Sequence, residues 1–143
     1  MKPILGSLIC FFAITSFAQN NPDAIIGKWM TTSGSCLVEV YKQNMEYKAK
    51  ILWLKEGNKP LGEWTDEKNH DPLLRTRKII GMDVLHGLHY DPTGNNWVDG
   101  IIYDVSTGKE WDSEVWLTND NLLKVKGYWA FKFLSQTKTF KKV

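Results

Sequence analysis

The chain is poor in cysteine and carries no lasting excess of charge, and each shortage removes a class of protein. Its 143 residues include two cysteines. Cys10 falls in an apolar N-terminal stretch that reads as a discarded signal, so Cys36 is left as the lone thiol and no internal disulfide can staple the fold. Lys and Arg total 18 against 16 Asp and Glu. Loss of Lys2 with the signal brings the two almost level, which excludes the strongly basic face that nucleic acid requires. Long apolar runs are confined to the N-terminus. There Ile4 to Phe17 is too short, and too soon followed by Asn20-Asn21-Pro22-Asp23, to cross a bilayer, and no transmembrane segment is expected once it is removed. Phosphate loops, dinucleotide fingerprints and nucleophile elbows are missing as well, so neither a cofactor nor catalysis is expected.

What is there begins with the basic start Met1-Lys2, the apolar stretch, and the small residues of Ser16-Phe17-Ala18. This pattern predicts a signal peptide over 1–18, cleaved before Gln19, and export to the periplasm or beyond the cell. The remaining 19–143 is the length of one domain with a single core.

Beyond the signal the rhythm is period two, the mark of strands with one face in a core. Met45, Tyr47, Ala49, Ile51 and Trp53 share one face, against Glu46, Lys48 and Lys50. Trp111, Ser113, Val115 and Leu117 oppose Glu110, Asp112 and Glu114, and Leu123, Val125, Gly127 and Trp129 oppose Lys124, Lys126 and Tyr128. Further strands are expected over Gly27–Thr32, Ser35–Lys42, Met82–Tyr90, Asn96–Asp104 and Gln136–Lys142, which makes eight candidate strands in all. Ser33-Gly34, Asp91-Pro92-Thr93-Gly94, Ser106-Thr107-Gly108 and Asn119-Asp120-Asn121 punctuate them with hairpin chemistry. Tyr90-Asp91 to Gly94 and Tyr103-Asp104 to Gly108 echo one another, which predicts a shared turn solution. An antiparallel meander of this size leaves two raw edges unless it closes, so the expected fold is all-β, a single up-and-down barrel.

One segment breaks the rhythm. Lys55–Ile80 carries Gly57, Pro60, Gly62 and Pro72 and reads as a long flap over a barrel mouth. Within it Asp71-Pro72-Leu73-Leu74-Arg75 predicts a helical turn, with Asp71 as cap and Pro72 in the first position.

The run Asp66 to Arg77, followed by Gly81 and Val84-Leu85, resembles the central motif of the bacterial domain-of-unknown-function family 2147. Gly27-Lys28-Trp29, Trp97 to Asp104 with Gly108-Lys109, Gly127-Tyr128 and Thr137-Lys138-Thr139-Phe140 follow the same family's order. The resemblance spans essentially all of the mature chain. It implies a lipocalin-like barrel whose Gly-x-Trp strand uses Trp29 to close one end, and it implies no activity.

Candidate site residues are aromatic and arginine. Trp29, Tyr47, Trp53, Trp97, Trp111 and Trp129 either line a pocket for an apolar or flat molecule or simply fill the barrel. Arg75 and Arg77 either gate the mouth for an anionic group or brace the flap against Asp66, Asp71 or Asp99. His86 and His89, three apart on a strand, are expected on opposite faces, so no metal site is expected. Glu110, Asp112 and Glu114 read as a solvated outer face rather than a catalytic carboxylate pair. Cys36, alternating with Val38 and Val40, is expected to be buried and inert. Together these predict a noncatalytic module for a small apolar or amphipathic molecule. The alternative is a structural or protein-interaction component of the envelope with a filled barrel.

Overall fold

The computed structural model describes residues 20–56, 59–60, 64–128 and 135–143. The expected signal lies outside them, as does Trp129. The strands are β1 (Gly27–Thr31), β2 (Cys36–Gln43), β3 (Glu46–Glu56), β4 (Lys59–Pro60), β5 (Asp83–Asp91), β6 (Asn96–Asp104), β7 (Lys109–Leu117), β8 (Leu122–Tyr128) and β9 (Ser135–Lys142). Each long strand pairs antiparallel with its sequence neighbour, β3 passing over to β5 because β4 is only a two-residue fold-back on β3. β1 then pairs with β9, with Trp29 opposite Lys142 and Thr31 opposite Phe140. That last pairing closes the sheet, so its long strands form an eight-stranded up-and-down barrel, and closure removes the open edges that would invite aggregation. The described helical content is two 3-10 turns, Pro22–Ile25 and Pro72–Leu74.

The expected turns form as their chemistry dictates. Asp91 Oδ1 accepts from the Thr93 amide at 3.0 Å and Asp104 Oδ1 from the Ser106 amide at 2.9 Å. The echoed sequences therefore share a side-chain-to-backbone turn, yet they lie at opposite ends of the barrel. The β2–β3 turn consists of Asn44 and Met45, both at positive φ (52° and 67°), as a two-residue hairpin turn requires. Met45 thus leaves the core face on which alternation placed it and is 78% exposed.

Three further departures from alternation have one cause. A register shift in the β2–β3 ladder pairs Val38 with Ile51 but Leu37 with Trp53, so β3 carries an extra residue at Leu52. The phase flips there. Trp53 joins the face of Leu37, and Leu54 takes the inward position beside Cys36. On β5 and β6 matching kinks occur at Gly87 (φ 75°) and Asp99 (φ 62°), after which the buried residues are three apart: Leu85 then Leu88, Trp97 then Gly100. His86 and His89 consequently both lie exposed, not on opposite faces.

The chain places unlike material at the two ends. At one end lie the β2–β3, β5–β6 and β7–β8 turns, the Pro22–Ile25 turn and Val143. The β1–β2 and β6–β7 turns and the flap occupy the other.

Candidate functional site: a chamber at the open end

The first end is sealed from beneath by Pro22–Ile25. Asn21 caps this turn by accepting from the Asp23 amide at 2.9 Å, Pro22 pre-sets its backbone angle, and Ile25 is wholly buried. Three barrel side chains bolt it down. Trp29 Nε1 donates to the Ile25 carbonyl at 2.8 Å, Trp97 Nε1 to the Pro22 carbonyl at 2.9 Å, and Tyr47 Oη to Asp23 Oδ1 at 2.6 Å. The Tyr47 hydrogen bond holds Asp23 below the usual carboxylate range, while burial, then this bond, pushes the Tyr47 phenol upward. Lys142 Nζ lies 5.3 Å from the centroid of the Trp29 ring. Above them, between Ile25, Leu85, Leu88, Val115 and Leu123, the residual void is about 50 Å³, so this half of the interior is packed.

The other half is hollow. A cavity of about 270 Å³ is walled by Val38, Ile51, Leu54, Val84, Ile102 and Trp111, with Asp104, Gln136 and Lys138 at its rim. In one corner Thr31 Oγ1 accepts from the amides of Ser35 and Cys36 at 2.9 and 3.0 Å. The Cys36 thiol there is half-buried, and burial pushes it up to about 11 against a smaller opposing pull from Lys138. Such a thiol carries little thiolate near neutrality.

Outside the chamber, a groove of about 880 Å³ runs beneath the flap past His70, Leu74, Arg77, Asp83, His86 and Glu110. Tyr103 and Trp111 line both spaces and so form the partition between them. The flap fixes one of these two. Asp66, with no exposed surface, accepts from Tyr103 Oη at 2.6 Å through Oδ1, and from Asn69 Nδ2 at 2.8 Å and Arg77 Nε at 3.0 Å through Oδ2. The Arg77 guanidinium lies 5.7 Å from the Tyr103 ring centroid, and burial followed by the Asp66 contact raises the Tyr103 phenol to about 12. Gly108 (φ 72°) lets the flap settle, since a Cβ there would collide with the Lys68 carbonyl.

The expected helical turn forms at Pro72–Leu74, capped by Asp71 Oδ1 accepting from the Leu73 amide at 3.0 Å. Arg77 is committed to Asp66 and braces the loop, whereas Arg75 donates to the Asn69 carbonyl at 2.7 Å and lines neither space. The candidate site residues therefore separate. Trp111 lines the chamber; Trp29, Tyr47 and Trp97 belong to the packed end; Trp53 shares the outer face of Leu37; Trp129 is not described. Glu110 and Asp112 are exposed on the outer face of β7. Among the described residues no group of three or more potential metal ligands comes together.

Sequence reading missed two positions that shape the interior. Lys138, exposed yet bordering the chamber, shares its parity on β9 with buried Phe140, which was the available signal, masked because lysine seldom borders an apolar interior. Pro22–Ile25 repeats the Asx-Pro helix start seen in Asp71-Pro72, but it passed as the polar tail of the signal.

A closed barrel with a packed base and a hollow, flap-covered mouth defines a lipocalin-like architecture. The chain belongs to the bacterial family described as "Uncharacterized protein conserved in bacteria (DUF2147)", whose model matches residues 27–142. Among solved structures it is similar to protein HP1028 from the human pathogen Helicobacter pylori, which belongs to the lipocalin family. The TM-score is 0.71 at 21% identity, covering 83% of this chain and 82% of that one, a likeness of fold. No curated protein matches the chain.

Proposed function

We propose that this protein is an exported, noncatalytic binding module that holds one small apolar or amphipathic molecule in the open half of its barrel. The observation that carries this reading is the division of the interior. The same strands that pack to a void of about 50 Å³ at one end leave about 270 Å³ at the other. That volume is just under the ~300 Å³ at which typical ligand pockets begin, and its walls are apolar as such pockets require. A barrel of eight strands has room for side chains or for one small ligand, and here each outcome fills one half. Export rests on the basic start, short apolar stretch and small residues of 1–18.

The envelope-interaction reading draws on the flap groove, a mixed-charge surface space of about 880 Å³. Native mass spectrometry of protein purified from its own host distinguishes the two. A discrete added mass, lost on denaturation, is expected from a chamber in use. Bare protein that also shows no tryptophan fluorescence response to aliphatic probes would leave the interaction reading standing instead.

A further inference from the structure

Apart from the corner by Thr31 and Ser35 and from Tyr103, the chamber wall is apolar, and its charged residues lie at the rim. Among its described lining residues Lys138 is the one cation and Asp104 the one anion. Asp104 is already satisfied: its Oδ1 accepts from the amide and hydroxyl of Ser106 at 2.9 and 2.6 Å, and its Oδ2 from the Thr107 hydroxyl at 3.0 Å. Lys138 closes no ion pair with any described residue, though its charge is near enough to pull down the Asp104 carboxyl and, more weakly than burial opposes it, the Cys36 thiol. It sits opposite Val125 on β8 and one inward position above Phe140, both of which also line the chamber. Its apolar stem therefore lies on the chamber wall while its ammonium reaches the mouth.

We propose that the bound molecule is an amphipathic acid, its aliphatic tail against Val38, Ile51 and Trp111 and its anionic head on Lys138, with the Gln136 amide beside it. The proposal rests on the binding reading above and names the class of ligand. A purely apolar occupant would leave the exposed Lys138 ammonium to water and gain nothing from it. An acid group supplies a charge-assisted hydrogen bond at the one lining cation, which acts on Asp104 and Cys36 as a nearby charge but closes no ion pair with a described residue. The flap arginines do not compete for this role. Arg77 is held by Asp66 on the far side of the Tyr103 partition, and Arg75 borders neither space.

The test titrates octanoate and octanol, at a pH where the acid is ionised, into wild-type protein and into Lys138→Met, Lys138→Arg and Arg75→Met variants, read by calorimetry and tryptophan fluorescence. The expected result has four parts. Lys138→Met weakens octanoate about tenfold, the worth of one charge-assisted hydrogen bond. It leaves octanol binding and the thermal midpoint unchanged, Lys138→Arg retains octanoate binding, and Arg75→Met alters neither probe. Equal weakening of acid and alcohol, or an octanoate affinity indifferent to Lys138, overturns the head-group assignment and leaves the chamber intact. If neither probe binds the wild type and neither slows alkylation of Cys36, the assignment and the binding reading fall together.

Discussion

At the closed end Trp29, Tyr47 and Trp97 give their rings to the core and their polar atoms to a four-residue turn, whereas at the open end Trp111 and Tyr103 border empty space and Tyr103 is held by a single buried carboxylate of the flap. The same strands thus carry aromatic side chains into two different tasks. What decides the task is whether the covering segment enters the barrel. Pro22–Ile25 inserts Ile25 and leaves almost no void, while the flap keeps Leu73 and Leu74 exposed and rests on the rim through Asp66 and Gly108. Packing accumulates at one end, which leaves the other free to stay hollow.

The sharpest way to break this contrast is Trp29→Ala. The ring is 1% exposed and bonded to the turn beneath it, so its loss should lower stability by about 3 to 5 kcal/mol in denaturant unfolding, as for other large buried aromatics. A loss under about 1 kcal/mol would show that the closed end is not the stabilising half.

Asp66→Ala should act next most strongly, and locally. It strands Arg77, Asn69 and Tyr103, of which Arg77 remains 39% exposed and can turn to water, so a cost of about 2 kcal/mol is expected. Hydrogen exchange should quicken across Thr65–Arg77 while the strands at the closed end keep their protection. Uniform loss of protection would merge the two ends into one cooperative unit.

The smallest effect concerns Cys36. Its thiol is raised from 9.0 to about 11, chiefly by burial, so at pH 9 the folded protein should be alkylated by iodoacetamide about tenfold or more slowly than the unfolded chain. An acid with a raised folded value favours its neutral form in the fold. This contribution to stability is therefore complete below pH 9 and drains away as pH rises toward 11. Equal alkylation rates in the two states would mean that the corner by Thr31 is open to water.

Much of the barrel was legible because alternation and turn chemistry agreed. Tyr47, Ala49 and Ile51 lie inward, as do Trp111, Ser113 and Val115, and the Asp91 and Asp104 turns form where their residues predicted. Legibility failed at bulges. The extra residue at Leu52 carries no compositional mark, and it alone moves Trp53 off the chamber wall and Leu54 onto it. The kinks at Gly87 and Asp99 likewise replace a two-residue repeat with a three-residue one, which reversed the expectation for His86 and His89. Within the flap, the bracing role of Arg77 was one of two readings, and choosing between them needed the burial of Asp66, which charge alone does not reveal. Lys138 escaped because the general rule that lysine seldom borders an apolar interior outweighed its parity with Phe140.

The family match begins at Gly27, one residue past the Ile26 that ends the Pro22–Ile25 turn. A protein trimmed to that boundary would keep every strand of the barrel and lose its cork. The indole N–H groups of Trp29 and Trp97 and the Tyr47 hydroxyl would lose their acceptors together, and the hole left by Ile25 would open the packed half from below. The vessel would then be a tube, open at both ends.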